Sequence, residues 1–169
     1  TALGTQQTPP NQILVALALF ITFFVMAPTF DGIYQNAYKP YSQNTINIEE
    51  AFNRASSDIK KFMTRNTRER DLLAFADMNG SKKFEDEASV PWAVLLPAFI
   101  TSELKTAFQI GFLIYLPFLV IDMIIASILM SLGMMMLSPM LISLPFKLLL
   151  FVLVDGWTMT VGSIIQSYG

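Results

Sequence analysis

The sequence predicts an all-α, membrane-associated fold of broken helices arranged as helical hairpins. Three observations carry that prediction. The 169 residues are 53% hydrophobic, with a mean hydropathy of +0.50, too apolar for an ordinary soluble domain. Of 11 basic and 13 acidic residues, all but Glu103, Lys105, Asp122, Lys147 and Asp155 lie between Asp31 and Glu87. Two apolar blocks therefore flank a hydrophilic middle. Glycine and proline recur inside the later block and divide it into pieces shorter than a simple span. The chain accordingly divides into an apolar helix (1–30), a hydrophilic connector with an amphipathic hairpin (31–89), and apolar helical hairpins (90–169).

Residues 1–30 carry no charge, and "QILVALALFITFFVMAPTF" approaches the roughly 20 apolar residues that a spanning helix needs. Pro9 and Pro10 mark a break ahead of it, and Pro28 is expected to limit its other end. The chain opens at Thr1 with neither an initiator methionine nor a basic segment before the apolar one. No signal peptide is visible, and a processed or truncated N-terminus is expected.

From Asp31 the sequence reads as a polar, turn-rich connector. Asn47 with Glu50 forms a helix start, after which Ile48, Phe52, Ala55, Ile59, Phe62 and Met63 make one apolar stripe. A second start is expected at Asn66 with Glu69, and Asn79-Gly80 ends that helix. Two amphipathic helices outside hydrocarbon are the natural reading of 40–88. In the last block Pro91, Pro97, Pro117, Pro139 and Pro145 interrupt the hydrophobicity. Such helices pack on other protein rather than stand in lipid alone. Ser127 with Ser131, and Gly156 with Thr160, are spaced for close helix approach.

Composition excludes much chemistry. Cysteine and histidine are absent, which removes disulfides, thiol nucleophiles, zinc and haem sites and Ser–His machinery. No cofactor is expected. No basic stripe interleaved with aromatics supports nucleic-acid binding, and no phosphate-binding loop is present, so energy for transport must come from elsewhere. Asp122 and Asp155 invite an intramembrane aspartyl-protease reading. However, "LVIDM" and "LVDGW" lack the motifs of such enzymes, and no catalytic or metal-binding residue is assigned.

The isolated charges are more informative. A chain reversal between Gly133 and Pro139, centred near Met134 and Met135, sets Asp122 and Lys147 roughly 18 Å back along antiparallel helices. An unpaired charge in an apolar bundle costs several kcal/mol, so the two are expected to pair, within one hairpin or between copies. Glu103 and Lys105, two apart in "TSELKTAF", point to different helix faces and are expected to bond separate partners.

"MSLGMMMLSPM", residues 130–140, stacks three thioethers at that reversal. Consecutive residues point about 100° apart, so Met134, Met135 and Met136 cannot share one helical face. Soft-metal transport is disfavoured without cysteine or histidine to assist. Two readings stay open on composition alone: adaptable core filling, or a deformable seal formed by several copies around an axis.

Three segments carry a resemblance: "LGTQQTPPNQILVALALFITFFVM", "LLPAFITSELKTAFQIGFLIYLPFLVIDM" and "ASILMSLGMMMLSPMLISLPFKLLLFVLVDGW". They closely resemble the FliP family of flagellar protein-export proteins, related to SctR of virulence secretion systems. The match covers nearly the whole chain and is weakest between Tyr38 and Ser89. The resemblance implies a non-enzymatic subunit of the flagellar type III export gate, in a multi-subunit helical assembly. Its partners would be other FliP copies, FliR, FliQ and FlhB, with membrane lipid around them and unfolded flagellar substrates in transit. It implies the bacterial inner membrane and flagellar basal body, with part of the assembly on the periplasmic side. It also implies sequence ahead of this N-terminus. Residue by residue, Met134, Met135 and Met136 match the family's methionine gasket, and Glu103 and Lys105 fall in an "SEL" segment suited to subunit contact. Phe108, Phe112 and Tyr115 lie in a matching segment where aromatics would narrow or brace the channel, helix packing being the blander reading. A different class of protein, a small-solute or ion transporter built on broken helices, is the alternative.

Overall fold

The computed structural model describes residues 3–5, 9–80, 84, 86, 89–134 and 136–168. Among the described residues the structure is helical, with no strand. It forms two compact units, one of residues 22–106 and one of residues 1–21 with 107–169. Helix α1 (Asn11–Ile33) follows the Pro9–Pro10 pair, and the Ile13 amide bonds Pro10 O at 3.0 Å. Pro28, expected to limit this helix, instead lies inside it. The chain stays helical through a π-helical turn (Tyr34–Tyr38) and a short α2 (Lys39–Ser42). A proline deletes one backbone donor, and packing elsewhere can outweigh that loss.

That packing is visible in the unit of residues 22–106. The Asn36 side-chain amide donates to Asp58 Oδ2 at 3.1 Å, and the Arg54 guanidinium donates to Asn36 O at 3.4 Å. Both partners lie on α3 (Ile48–Arg65), which starts where Asn47 Oδ1 accepts the Glu50 amide at 2.8 Å. The apolar stripe of α3 is used unevenly: Met63 is buried and Ile59 and Phe62 pack with it, while Ile48 and Phe52 stay exposed. Helix α4 (Glu69–Met78) is capped by the backbone of Arg68 rather than by Asn66, and Gly80 leaves it at φ +73°. The core of this unit joins Met63, Ala76, Val90, Val94 and Leu95, with Phe62, Leu72, Phe75, Trp92 and Phe99 around them. Full burial of a valine, leucine or methionine side chain contributes about 1.5–3 kcal/mol.

Helix α5 (Trp92–Ser131) runs 40 residues, roughly 60 Å, and contains both Pro97 and Pro117. The breaks expected at these prolines are absent because each removes a single bond from a long ladder. In the unit of residues 1–21 and 107–169, the later part of α5 is followed by α6 (Pro139–Leu153) and α7 (Gly156–Gln166). The last two meet at a 62° bend, where Asp155 takes a left-handed conformation, φ +50°. Phe151 is the hub of this region, its ring 6.4 Å from Phe118 and 5.3 Å, edge-on, from Trp157. Gly156 lies flat against Phe151, and a Cβ there would enter the ring. By length and composition, α1 with its continuation to Ser42, and α5, are long and apolar enough to cross a membrane, and the α6–α7 pair is a third, broken candidate.

Candidate functional site: the methionine loop and its charged brace

The loop is built by its glycine and its proline. At the end of α5 the Gly133 amide donates to Met130 O at 3.1 Å, and the Met134 amide to Leu129 O at 2.9 Å. Those are the paired bonds of a Schellman motif, which needs a left-handed residue after the helix; Gly133, at φ +72°, supplies it without a Cβ penalty. Pro139 opens α6 at a position that requires no amide donor. Between them Met136 is fully exposed, at 102%, and Met134 half exposed, at 48%. Met135, the central residue of the expected gasket, lies outside the described residues. The described loop side chains after Gly133 are apolar up to Ser138, so nothing there offers an ion a polar handle.

Behind the loop, α5 and α6 are joined by a charged brace. Lys147 Nζ donates to Asp122 Oδ2 at 2.5 Å, and the Ser143 hydroxyl donates to Asp122 Oδ1 at 2.5 Å. The Lys147 side chain is 2% exposed and the Asp122 side chain 22%. Helical geometry accounts for the arrangement: Ser143 and Lys147 are four apart and share a face of α6, so both reach one carboxylate. Sequence reasoning missed Ser143, although its spacing from Lys147 was the available signal.

Of the remaining expected site residues, the three aromatics stand apart from the loop. Phe108, Phe112 and Tyr115 follow one face of α5 at intervals of four and three, the first two strongly exposed and Tyr115 less so. Tyr115 lies roughly 24 Å along the axis from the end of α5, so these rings are not brought to the methionines. Glu103 is half-buried. Lys105 Nζ donates to Asp71 Oδ1 at 2.6 Å, within the unit of residues 22–106. That hydrogen bond holds the Asp71 carboxyl below its ordinary 3.8, with burial opposing the shift and the charges of Lys105, Arg68 and Arg70 adding to it. Beside it, Arg68 donates to Ser102 O at 2.8 Å and to Thr106 Oγ1 at 2.9 Å, while its amide donates to the Ser102 hydroxyl at 3.0 Å. Sequence reasoning missed this clamp of α4 on α5; a buried Asp71 on the apolar side of α4 was its signature.

A profile of the FliP family matches residues 1–164. The chain belongs to the FliP family. Among curated proteins it is similar to the flagellar biosynthetic protein FliP of Cereibacter sphaeroides, 63% identical over 167 residues, which covers 99% of this chain and 56% of that relative. The FliP of Bacillus subtilis strain 168 is 55% identical over 168 residues, 99% of this chain and 76% of the relative. That of Pectobacterium carotovorum subsp. carotovorum is 54% identical over 167 residues, with 99% and 65% covered. The chain thus spans between 56% and 76% of the length of these FliP relatives.

Proposed function

We propose that this FliP-family chain is a subunit of the flagellar type III protein export apparatus, a membrane-embedded flagellar component. In this reading several copies assemble with FliR, FliQ and FlhB around a channel for unfolded flagellar proteins. They sit in the bacterial inner membrane at the basal body, with part of the assembly on the periplasmic side. The role is mechanical rather than enzymatic: the loop at Met134–Met136 closes the channel as a gasket, and the brace between Asp122 and Lys147 fixes the hairpin that carries it.

The observation that carries this reading is the exposure of Met134 and Met136 on an apolar loop held by its own backbone bonds. Methionines filling a core within this chain would be buried; these project from the hairpin tip. An unbranched thioether repeated around an axis can deform around cargo of varied shape and still exclude ions when the cargo has gone. Glu103 and the exposed face of Phe108, Phe112 and Tyr115 are left for contacts with neighbouring subunits or for the channel wall.

The test is a triple Met134→Ala/Met135→Ala/Met136→Ala variant, co-expressed with its partners. Assembly should stay nearly intact while ion conductance of the reconstituted complex rises. Loss of assembly, with no leak in the complexes that survive, would overturn the gasket reading in favour of core filling. Saturable flux of a single solute would mark a transporter instead.

A further inference from the structure

We propose that the exposed thioethers of Met134 and Met136 form a reversible oxidation site for hydrogen peroxide, at which sulfoxide formation unseals the loop. The inference rests on the gasket reading above and adds a means of regulation to the same residues. Several features converge on it. Met136 is fully exposed and Met134 half exposed, on a loop rather than a helix face. The chain contains no cysteine, so no thiolate of its own intercepts peroxide first. The other exposed methionines in the apolar blocks, Met123, Met130, Met140 and Met159, lie on α5, α6 and α7, where lipid or packed protein covers such faces. The loop methionines, by the same gasket reading, face the lumen.

The chemistry needs only the oxidant. The sulfur attacks one peroxide oxygen, the O–O bond breaks, an S=O bond forms, and water leaves. The sulfur loses an electron pair and the peroxide gains it. The product is a polar, chiral side chain where an apolar flexible one stood. A hydrophobic constriction shuts by excluding water, and a ring of sulfoxides supplies strong acceptors that hold water in place. Methionine sulfoxide reductases A and B, one for each epimer, return the thioether while their own thiols become a disulfide and the oxygen leaves as water.

The molecule holds its own references. Met78 is strongly exposed at the end of α4, in the charged middle of the sequence; Met63 is buried in the core of its unit. The experiment uses the full-length protein, purified with its partner subunits and reconstituted in liposomes, then exposed to hydrogen peroxide. Peptide mass spectrometry should place one added oxygen on Met134 and Met136, as on Met78, and none on Met63. Ion conductance should rise to the level of the triple-alanine variant and fall back after treatment with both reductases and a thiol reductant. A Met134→Leu/Met135→Leu/Met136→Leu variant, whatever its resting leak, should show no peroxide-dependent rise; Met78→Leu should retain the full rise. If Met78 gains oxygen and the loop does not, the oxidation site is refuted. If the loop is oxidised and the wild type stays tight while the triple-alanine variant leaks, the unsealing is refuted and the gasket stands. If the triple-alanine variant is itself tight, the gasket reading has failed instead.

Discussion

Removing either member of the Asp122–Lys147 pair should destabilise the protein unequally, and the structure says in which order. Truncating one partner of a buried ion pair costs about 3–5 kcal/mol, because the other charge is left desolvated. Lys147→Met leaves Asp122 with the Ser143 hydroxyl and with a side chain 22% exposed, so water relieves part of the burden. Its cost should lie near the lower end, about 3 kcal/mol. Asp122→Leu leaves an ammonium only 2% exposed and without its carboxylate, at the upper end, about 5 kcal/mol. In the double variant Asp122→Leu/Lys147→Met both charges are gone and the side chains are similar in volume. Such replacements are often neutral or stabilising, so the double change should cost no more than about 1–2 kcal/mol. The assay is urea unfolding of the full-length protein in detergent, followed by helicity, for the wild type, both single variants and the double variant. If the single effects add to the double effect within about 0.5 kcal/mol, the pair is not coupled and the reasoning fails. If Lys147→Met costs more than Asp122→Leu, the assignment of the more deeply buried charge fails.

Two further outcomes follow from other parts of the fold. Because Lys105 holds the Asp71 carboxyl below 3.8, its contribution to stability is full above that pH and vanishes as the pH falls through the lower folded value. The stability of the unit of residues 22–106, followed through acid unfolding by Trp92 fluorescence in a Trp157→Phe background, should therefore fall below pH 3.8; Lys105→Met should flatten that dependence. Gly156→Ala drives a methyl group into the Phe151 ring and should cost about 1–3 kcal/mol as overpacking. The loss should appear as a lowered melting temperature, partly restored by Phe151→Leu in the same chain.

What the sequence disclosed, and what it withheld, follows the range of the forces involved. Asn47 with Glu50 could be read as a cap because the bond between them spans three residues and needs no other part of the chain. Gly133 and Pro139 bounded the loop for the same reason: both act through their own backbone. Asp122 and Lys147 were legible because two charges stand at matched distances from one turn. Pro28, Pro97 and Pro117 misled, since a lost donor is a local cost while the contacts that outweigh it come from elsewhere. Arg68 displaced Asn66 as the start of α4 because the Ser102 hydroxyl, 34 residues away, accepts its amide, and no local pattern announces that partner. The tail of α3 similarly took the core while its head did not, which the evenly spaced stripe could not indicate.

The division into two units has a consequence for the order in which the protein is made. Residues 22–106 are continuous, so every contact inside that unit is available once Thr106 has left the ribosome. The other unit is discontinuous: residues 1–21 are made before residues 22–106, and residues 107–169 after them. At Gly4 a Cβ would stand 3.5 Å from Leu144 Cδ1, an approach that brings Gly4 to α6. Ile13, Leu14, Val15, Leu17 and Leu19 stay exposed in the finished structure, so throughout that interval the nascent chain carries apolar surface that its own later residues leave uncovered. Apolar surface exposed during synthesis is where misassembly begins. A segment of that kind has to meet lipid or another protein as soon as it is made, before residues 107–169 exist.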